Sequence, residues 1–584
     1  MTTRIDRIGP FTYRQYAPSL PMLQGDTEVC VHDAVIVGGG PVGLATALGL
    51  ARHGVRSVVI EADDSVCQGS RAACISRRSL EILEGLGAVD AFLEKGIAWT
   101  TGRSYYRTDQ VLAFSMPHGP EQKYPPMINL QQYYIEQYLL DAIERCNAAS
   151  PGMVDLRWAS TVTHIDTSTS PISLTVNNSR ATYRTAARWV VACDGGQSFV
   201  REALGLKLGG TGYQGRYVII DIELPSEAPA ERRAWFDPPW WPGSTILMHR
   251  QPDNIWRIDY QLRHGDNAEA ALQPEAVREF VQRHLDHIGE GHLAWRPVWT
   301  SIYRAGAMTL DAYRHGHVLF AGNAAHAMPI FGVRGLNSGF DDAHNLVWKL
   351  ASVIRGIAPT TLLDSYSSER IEAFHINAAN AMRSTEFMSP PSRGFDLLRE
   401  ACLSLAVEHP TLAQLINPRQ TQAIGYTDSP LSSPGDAFAR GPSPGMVFED
   451  ILIGDTCENR PSTRAPVHLS DHISHTGLTL LIFHVPESVL RRLDDLLAEL
   501  PWPVKRMHVC HETVPGPGRN GVCADAHGKL MHAYGAKPGS VYLLRPDGHV
   551  AGRWHTPSND TIRVAVAAAY GVTDTTCQEP SHAI

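Results

Sequence analysis

The alternation of apolar and polar positions is clearest from residue 33, where a glycine turn separates an apolar strand from an alanine-rich helix. The stretch reads DAVIVGGGPVGLATALGLARHGVRSVVIEADD, and its second apolar strand ends at Glu61. Short apolar runs bounded by turn residues are typical of buried strands, and the longer alanine-rich run is typical of a helix. The pattern therefore predicts a βαβ unit.

Two later stretches repeat this order of strand, glycine turn and helix. Residues 188–204 read RWVVACDGGQSFVREAL, which predicts a strand ending at Asp194 and a helix starting near Ser198. Residues 316–350 read GHVLFAGNAAHAMPIFGVRGLNSGFDDAHNLVWKL, which predicts a strand, a glycine-rich loop and a long helix. The three stretches together indicate an α/β fold.

The period changes to two between residues 205 and about 299. In NIWRIDYQL, side chains alternate so that Arg257, Asp259 and Gln261 share one face of a strand and Trp256 and Ile258 share the other. This predicts an antiparallel sheet. The pattern alone leaves open whether the polar face meets water or lines a cavity.

The last third of the chain begins with a stretch rich in proline, serine and glycine, SPLSSPGDAFARGPSPGM, which is typical of a domain boundary. Strand-like runs (LTLLIFHV, VKRMHVC, SVYLLRPDGHVAGRW) then alternate with helical ones (ESVLRRLDDLLAELP, TIRVAVAAAYG). A small C-terminal α/β unit is predicted.

Length and charge narrow the functional classes. A chain of 584 residues predicts two or three domains, and its formal charge of −9 argues against a nucleic-acid partner. Neither a signal peptide nor an apolar run of the about 18 residues that cross a membrane is found, which predicts a cytoplasmic enzyme. The ten cysteines contain no CxxC pair and no Cys/His cluster, so no metal site is predicted.

The first glycine turn has the spacing of a dinucleotide-binding motif. Gly38 permits the tight turn, Gly40 lets the backbone approach a pyrophosphate, and Gly43 lets helix pack on strand. The start of the helix at Pro41 attracts the diphosphate, and Glu61 can accept the ribose hydroxyls. This motif alone leaves FAD and NAD, and hence a nicotinamide dehydrogenase, as alternatives.

The three stretches, in this order over roughly residues 30 to 390, resemble the class A FAD-dependent aromatic hydroxylases, the group of p-hydroxybenzoate hydroxylase, phenol hydroxylase and 3-(3-hydroxyphenyl)propionate hydroxylase. The middle motif agrees with the family's CDGxxSxVR. The third motif is Gly-Asp in the family but Gly322-Asn323 here, which retains a carbonyl acceptor and loses the charge. The resemblance implies FAD contacts at Gly38, Gly40, Pro41, Gly43, Glu61, Arg71, Gln132, Asp194, Gly322, Asn323, Pro329, Gly335, Leu336 and Asn337.

The resemblance also implies the architecture. A Rossmann-like FAD-binding domain of the p-hydroxybenzoate hydroxylase type is expected at 30–204, with a substrate-domain insertion near 100–125, and again, with a helical segment, at 300–415. An antiparallel substrate domain is expected at 205–299. The C-terminal unit, at 435–575, resembles the thioredoxin-like domain of phenol hydroxylase, and without a CxxC its expected role is structural or in a homodimer interface.

The activity implied by the resemblance is hydroxylation of a small phenol-like ring in the catabolism of aromatic compounds. NADH or NADPH reduces FAD, O2 adds at the flavin C4a carbon, and the ring attacks the distal peroxide oxygen. Arg257, Asp259, Gln261 and, on the neighbouring strand, His249 would line the substrate cavity. Either His249 or Asp259 would be the base, whereas Arg257 would gate flavin movement or pair with a substrate carboxylate.

Other activities remain open on the same scaffold. A Baeyer-Villiger-type oxygenase or an oxidase would use the same motifs, and a non-catalytic flavin-binding protein is favoured only by Asn323. A flavin-dependent halogenase is disfavoured because no WxWxIP-type segment is found.

Overall fold

The structure of the chain is a computed structural model. It describes residues 7–70, 72–263, 265–329, 331–416, 422–453, 467–510, 521–525 and 527–572.

The elements of the first 204 residues include the predicted βαβ unit and the predicted strand and helix at 188–204, together with elements that were not predicted. They are β1 (Arg7–Ile8), β2 (Phe11–Thr12), β3 (Leu23–Gln24), β4 (Thr27–Val37), α1 (Pro41–Arg52), β5 (Ser57–Ile60), β6 (Cys74–Ser76), α2 (Arg77–Gly85), α3 (Val89–Lys95), β7 (Ile97–Trp99), β8 (Thr101–Tyr106), β9 (Asp109–Ser115), β10 (Met127–Asn129), α4 (Gln132–Ala149), β11 (Val154–Arg157), β12 (Ser160–Asp166), β13 (Ile172–Asn178), β14 (Thr182–Ala192) and α5 (Phe199–Ala203). The predicted βαβ unit is β4, α1 and β5, and the predicted strand and helix at 188–204 are β14 and α5.

The middle of the chain contains long strands and then long helices. They are β15 (Gly209–Glu223), β16 (Arg232–Phe236), β17 (Thr245–Arg250), β18 (Ile255–Gln261), α6 (Ala268–Ala271), α7 (Pro274–His287), β19 (Arg296–Thr309), β20 (Arg314–His315), β21 (Val318–Phe320), β22 (His326–Ala327), α8 (Gly335–Ile354), α9 (Leu362–Met388) and α10 (Arg393–Glu408).

The C-terminal part returns to short alternating elements. They are β23 (Leu478–Phe483), α11 (Glu487–Glu499), β24 (Val504–Cys510), β25 (Val522–Ala524), α12 (Lys529–Ala533), β26 (Val541–Leu544), β27 (Val550–Trp554) and α13 (Asn559–Ala569).

The first βαβ unit forms the centre of a nine-stranded sheet. Parallel strands β11, β5, β4, β14 and β21 lie side by side, so the three predicted strand–glycine–helix stretches end at the same edge of the sheet. Helix α1 packs closely against α8, where Gly49 leaves room for the side chain of Val347. The predicted α/β character and the convergence of the motifs are confirmed.

The period-two region forms an eight-stranded sheet in the order β22-β19-β15-β18-β17-β16-β8-β9. All neighbouring strands in the described part of this sheet are antiparallel except β16 and β8, which are parallel. The sheet therefore has one parallel pairing that the prediction of an antiparallel sheet did not include, because β8 and β9 arrive from residues 101–115, far from β16 in the chain.

The C-terminal unit is a five-stranded mixed sheet in the order β25-β24-β23-β26-β27. Leu490 and Leu493 of α11 pack with Ile562 and Val566 of α13 in one apolar cluster, whereas Leu530 of α12 belongs to another. The predicted α/β character is confirmed, and the similarity to thioredoxin stays a prediction.

Buried charges join the C-terminal unit to the rest of the chain. Arg545, just after β26, donates hydrogen bonds of 2.6 and 2.9 Å to the carboxylate of Glu369 on α9. Lys349 of α8 donates to the same carboxylate at 2.6 Å, and Arg545 also pairs with Asp547. All four side chains are buried, so each charge depends on the others for the solvation that water would supply.

None of the described helices has the length and apolar content needed to span a bilayer. In the same part of the chain, no three His, Cys, Asp or Glu side chains are grouped so that they could hold a metal ion.

Replacement of Glu369 by Gln is expected to destabilise the protein by about 3–5 kcal/mol, because two buried cations lose their shared partner. The matched control is Glu499→Gln, which breaks the exposed pair between Arg563 and Glu499 (3.0 Å). That change should alter stability by about 0.5 kcal/mol or less. Denaturant unfolding measures the stability of both variants. Equal losses of stability would contradict the assignment of Glu369 as a buried ionic link between the C-terminal unit and the rest of the chain.

Candidate cofactor and substrate site

The glycine turn after β4 contains one glycine that the packing of the protein does not require. At Gly38 φ is +103°, and a Cβ would lie 2.5 Å from the carbonyl oxygen of Cys193; a Cβ on Gly43 would lie 2.0 Å from the Gly38 carbonyl oxygen. Around Gly40, by contrast, nothing lies within 4 Å of where a Cβ would be. This open space fits the expected approach of a pyrophosphate to the backbone.

The positive end of α1 faces the same space. The helix begins with Pro41, and Gly40 before it supplies no side-chain cap, so the first N–H groups can bind an anion. Glu61, at the end of β5, accepts hydrogen bonds from the backbone N–H groups of Gly39 and Asp63, and burial raises its pKa. Its carboxylate is thus held against the glycine turn.

Gln132 holds the loop that precedes β6. Its side chain accepts a hydrogen bond from the Ala72 N–H at 3.3 Å and donates one of 2.9 Å to Glu136. Glu136 in turn accepts from the Cys67 N–H at 2.6 Å, and burial raises the pKa of this carboxyl to about 7. Arg71, predicted to contact the flavin phosphates, lies outside the described residues.

Asp194, at the end of β14, has one satisfied and one unsatisfied oxygen. Oδ2 accepts from the Val200 N–H at 3.0 Å, whereas Oδ1 is buried and has no hydrogen-bond partner among the described residues. Burial raises the pKa of this carboxyl. An unpaired buried acceptor is costly, so Oδ1 fits a position where a bound molecule donates a hydrogen bond.

Arg201 of α5 joins the second motif to the third. Its guanidinium donates to the carbonyl oxygens of Gly196 (2.6 Å) and Ala324 (3.0 Å). The start of α5 is capped by Ser198, whose hydroxyl accepts from the Arg201 N–H. The predicted helix start is confirmed.

Asp342 of α8, which the sequence did not indicate, holds the third motif in place. Its Oδ2 accepts from the Gly322 N–H at 2.9 Å and lies 2.7 Å from Nε2 of His326, while Oδ1 accepts from Arg370 at 2.7 Å. Burial opposes ionisation of Asp342, but His326 and Arg370 outweigh it and the pKa is lowered. Asn323 beside this cluster is exposed, so its side chain is open to a ligand.

The loop before α8 is held by Asn337. Its side-chain oxygen accepts from the Ser76 N–H at 2.9 Å, and its amide donates to the carbonyl oxygens of Cys74 and Val333. Val333 has a φ of +58°, which is strained for a β-branched residue. Of the predicted neighbours of the ring, Pro329 is buried, and Gly335 and Leu336 form the first turn of α8.

The polar face of the eight-stranded sheet is buried. Arg257, Asp259 and His249 are 4, 5 and 9% exposed, so this face does not meet bulk water. The outer face packs through Trp256, Ile258 and Tyr260 against α7, in an apolar cluster. Of the two alternatives left open by the alternating pattern, the structure therefore supports an inward-facing polar surface.

Arg257 is neutralised within the chain. Its Nε and Nη2 donate to the two carboxylate oxygens of Asp221 on β15, each at 2.9 Å, and Nη2 also donates to the Ser70 carbonyl oxygen. Burial lowers the pKa of Arg257, but Asp221 outweighs it and the net shift is upward. This link joins the sheet to the loop that Gln132 holds.

Asp259 and His249 differ in their readiness to accept a proton. Burial raises the pKa of Asp259 to about 7, with Arg257 opposing, and its Oδ1 has no hydrogen-bond partner among the described residues. Burial, then Arg232 and Arg257, lower the pKa of His249 to about 3. Asp259 is thus the stronger base of the two.

Gln261 lies at the far end of the same face. Its amide donates to the hydroxyl of Ser389 at 2.5 Å, just after the end of α9. Nearby, the rings of Tyr217 and Phe331 meet edge to face at 5.1 Å, which joins the sheet to the loop before α8. Gln261 therefore closes one end of the enclosed surface.

Sequence reasoning missed two of the charged residues on this face. Asp221 falls on β15, whose mainly apolar run YVIIDIELP reads as a buried strand, and the two acids within it do not reveal which one meets Arg257. Arg232 sits in ERRAWF, where two adjacent arginines do not reveal which one turns inward. Their roles depend on which strands become neighbours.

Comparison with known proteins gives a family and a set of relatives. Residues 31–381 match the family model described as FAD binding domain. The chain is 27% identical over 529 residues to a 3-(3-hydroxy-phenyl)propionate/3-hydroxycinnamic acid hydroxylase of Mycolicibacterium smegmatis (89% of this chain, 90% of the relative). It is 28% identical over 550 residues to a 6-methylpretetramide 4-monooxygenase of Streptomyces rimosus (92% of this chain, 93% of the relative).

Among solved structures, the fold is similar to that of the flavin-dependent monooxygenase PieE in complex with FAD and substrate. The TM-score is 0.76 at 19% identity, covering 93% of this chain and 100% of the other. This similarity establishes the fold, including the C-terminal part.

Replacement of Gly40 by Ala is expected to weaken FAD binding by about tenfold or more, because the new Cβ occupies the space left for the pyrophosphate. The unfolding temperature of the FAD-free protein should not change, since that Cβ meets no atom of the chain. Gly38→Ala is the matched control and should lower the unfolding temperature even without FAD. Calorimetry and flavin fluorescence titration test both, and destabilised FAD-free Gly40→Ala protein would contradict the prediction.

Proposed function

The chain belongs to the FAD binding domain family, and from this premise we propose that it is an FAD-dependent monooxygenase that hydroxylates a phenolic or related aromatic ring with O2 and NADH or NADPH. The observation that carries the proposal is the meeting of three glycine-turn motifs beside an enclosed polar surface. Arg201 and Asp342 hold the second and third motifs together, and Arg257 ties the polar sheet face to the Ser70 loop.

The residues present fit FAD. Gly40 leaves space for the pyrophosphate, and the start of α1 offers free N–H groups that can bind it. Asp194 offers an unsatisfied acceptor oxygen to which a dinucleotide can donate a hydrogen bond. FAD supplies the redox chemistry when bound, accepting reducing equivalents from a nicotinamide and activating O2. The start of α8, uncapped by a side chain at Arg334, directs a partial positive charge towards the expected position of the ring system.

The protein's main task is to exclude water from the reacting atoms. The inner sheet face is buried, and Trp99, Met127 and Val333 form an apolar cluster with Cys74 at one end of it. Met388 and Phe331 cluster with Tyr217 and Leu247 at the other end. A dry site of this kind strengthens polar interactions and prevents loss of activated oxygen as hydrogen peroxide.

Asp259 is the base in this proposal. Removing the proton of a phenol raises the electron density of the ring, and a base whose pKa lies near the working pH does this best. Asp259 has such a pKa and an oxygen without a partner, whereas the low pKa of His249 makes that ring a poor proton acceptor. His249 then lines the face, where its buried Nδ1 has no partner among the described residues and can bond to a ligand.

The relatives support a phenolic substrate. One is named for 3-(3-hydroxyphenyl)propionate and 3-hydroxycinnamic acid, and another for 6-methylpretetramide. The two compounds named for the first relative share a hydroxylated aromatic ring. We therefore place the substrate class of this chain among hydroxyaryl compounds.

The direct test is to purify the protein, measure its FAD content and follow NADH and NADPH oxidation with phenols, hydroxybenzoates and hydroxyphenylpropionates. A hydroxylase should oxidise nicotinamide faster when the correct phenol is present and release a product with one added oxygen atom. Turnover of cyclic ketones to lactones would instead indicate a Baeyer-Villiger-type oxygenase. A yellow protein with no stimulated turnover would indicate a binding protein.

Replacement of Asp259 by Asn is expected to slow hydroxylation by about 10²–10⁴-fold, because the phenol loses its base. In the wild type the rate should rise with pH through about 7, since Asp259 is protonated below that pH and ionised above it. The variant should lose this step while still oxidising nicotinamide and releasing hydrogen peroxide. Asp286→Asn, an exposed change on α7, is the control, and an unchanged pH profile in Asp259→Asn would rule out the assignment.

A further inference from the structure

The inner face of the eight-stranded sheet carries a row of polar residues that runs across four strands. Asp221 pairs with Arg257 and Arg257 with His249. Arg233 pairs with Met248, which places Arg232 beside His249 at the start of the row. Because side chains alternate along a strand, Arg232, His249, Arg257 and Asp221 all face inward.

Among the described residues, one of the two arginines in this row has an anionic partner and the other has none. Arg257 donates to both oxygens of Asp221, and Gln251 donates to the same carboxylate at 3.4 Å. The positive charge of Arg257 is therefore already balanced by Asp221, so Arg257 is not available to bind a further anion.

Arg232, unlike Arg257, is not paired with an acid among the described residues. It is 6% exposed, and its guanidinium makes no hydrogen bond or ion pair with any residue that the structure describes. Glu231, the acid adjacent in sequence, lies on the other side of the strand and pairs with Arg103 and Arg233. Burying a guanidinium without a partner is costly, and the described residues leave this cation unsatisfied.

The other groups around Arg232 do not supply a permanent negative charge. Burial raises the pKa of the Cys74 thiol to about 12, so it is neutral, and His249 is neutral because of its low pKa. Asp259 lies on the same face as Arg257, two residues further along β18, where it pairs with Leu247, and its pKa is about 7. Burial lowers the pKa of Arg232 to about 10, with Cys74 and Asp259 opposing, so it remains charged near neutral pH.

We propose that Arg232 binds an anionic oxygen of the aromatic substrate, a carboxylate or a phenolate, and so selects acidic over neutral rings. This inference rests on the proposed function, since it places the substrate on the inner sheet face. An arginine binds a carboxylate through two parallel hydrogen bonds, and such a pair is stronger where water is excluded. Trp99 and Met127 form an apolar cluster with Cys74 at this end of the face, and the ring of Trp99 also meets that of His249.

The test compares Arg232→Gln with Arg233→Gln in the FAD-loaded enzyme. Arg233 is the matched control because it is adjacent in sequence but faces the other way and pairs with Glu231 at 2.8 Å. Dissociation constants are measured from changes in the flavin absorbance on titration with 3-hydroxybenzoate, 3-hydroxybenzamide and the corresponding pair of 3-hydroxyphenylpropionic acid and its amide.

Arg232→Gln is expected to weaken binding of the acids about 30- to 100-fold and of the amides less than about threefold. Arg233→Gln should change neither, and Arg232→Lys should recover part of the affinity for the acids. Wild-type preference for acid over amide identifies a carboxylate as the anion. If acid and amide bind alike but both bind more tightly as the phenol ionises, and Arg232→Gln abolishes that pH dependence, the anion is a phenolate.

The proposal is overturned if Arg232→Gln weakens acids and amides equally while leaving the dependence of binding on phenol ionisation unchanged, if it changes neither affinity, or if the wild-type holoenzyme binds none of these compounds. Should Arg232→Gln fail to fold, Arg232→Lys decides, because affinity for acids equal to that of the wild type with altered affinity for amides would contradict an anion contact. A holoenzyme that binds the acids through Arg232 but turns none over would contradict the proposed function instead and leave this assignment standing.

Discussion

One buried carboxylate, that of Asp342, positions the third glycine motif against the other two. It accepts hydrogen bonds from the Gly322 N–H and from Arg370, and it contacts His326, so it joins α8, α9 and the loop after β21. Through Arg201 this loop is also tied to the second motif. The backbone at Gly322 and Asn323 thus depends on a residue 20 positions further along the chain. A rigid loop of this kind is what a dinucleotide site requires, because binding energy is lost when the protein must order itself first.

The same principle of paired buried charges extends to the C-terminal unit. Glu369, next to Arg370 on α9, is shared by Lys349 and Arg545, so the helix that holds Asp342 also holds the hairpin after β26. The ionic contacts therefore run from the glycine loop to the C-terminal sheet. Because buried ions are tolerated only with partners, this chain of contacts constrains how the C-terminal unit is seated. The C-terminal unit therefore helps to hold α9, and through Arg370 of α9 it helps to position Asp342.

Against this background the inner face of the eight-stranded sheet is distinctive. Among the described residues, the buried Arg232 has no hydrogen-bond or ion-pair partner and the buried Asp259 has none at Oδ1, in contrast to Asp342, Glu369 and Arg257. Unpaired polar groups destabilise a protein unless a ligand satisfies them, and groups of this kind with shifted pKa values are concentrated at functional sites. The inner sheet face thus differs from the sites of Asp342 and Glu369, where the buried charges are paired within the described structure.

The sequence by itself determined the features that depend on local backbone geometry. The glycine turns at Gly38 and Gly322, the helices that follow them and the two faces of NIWRIDYQL could be predicted because turns, helix starts and side-chain alternation involve residues close together in the chain. Only the tertiary structure decided which charges become partners. Arg257 meets Asp221 and Arg232 lies beside His249 because β15 to β18 adopt one register, and one residue of slippage would have sent each to the opposite face. The pairing of distant residues follows from strand register and helix packing, and these are set by the whole core.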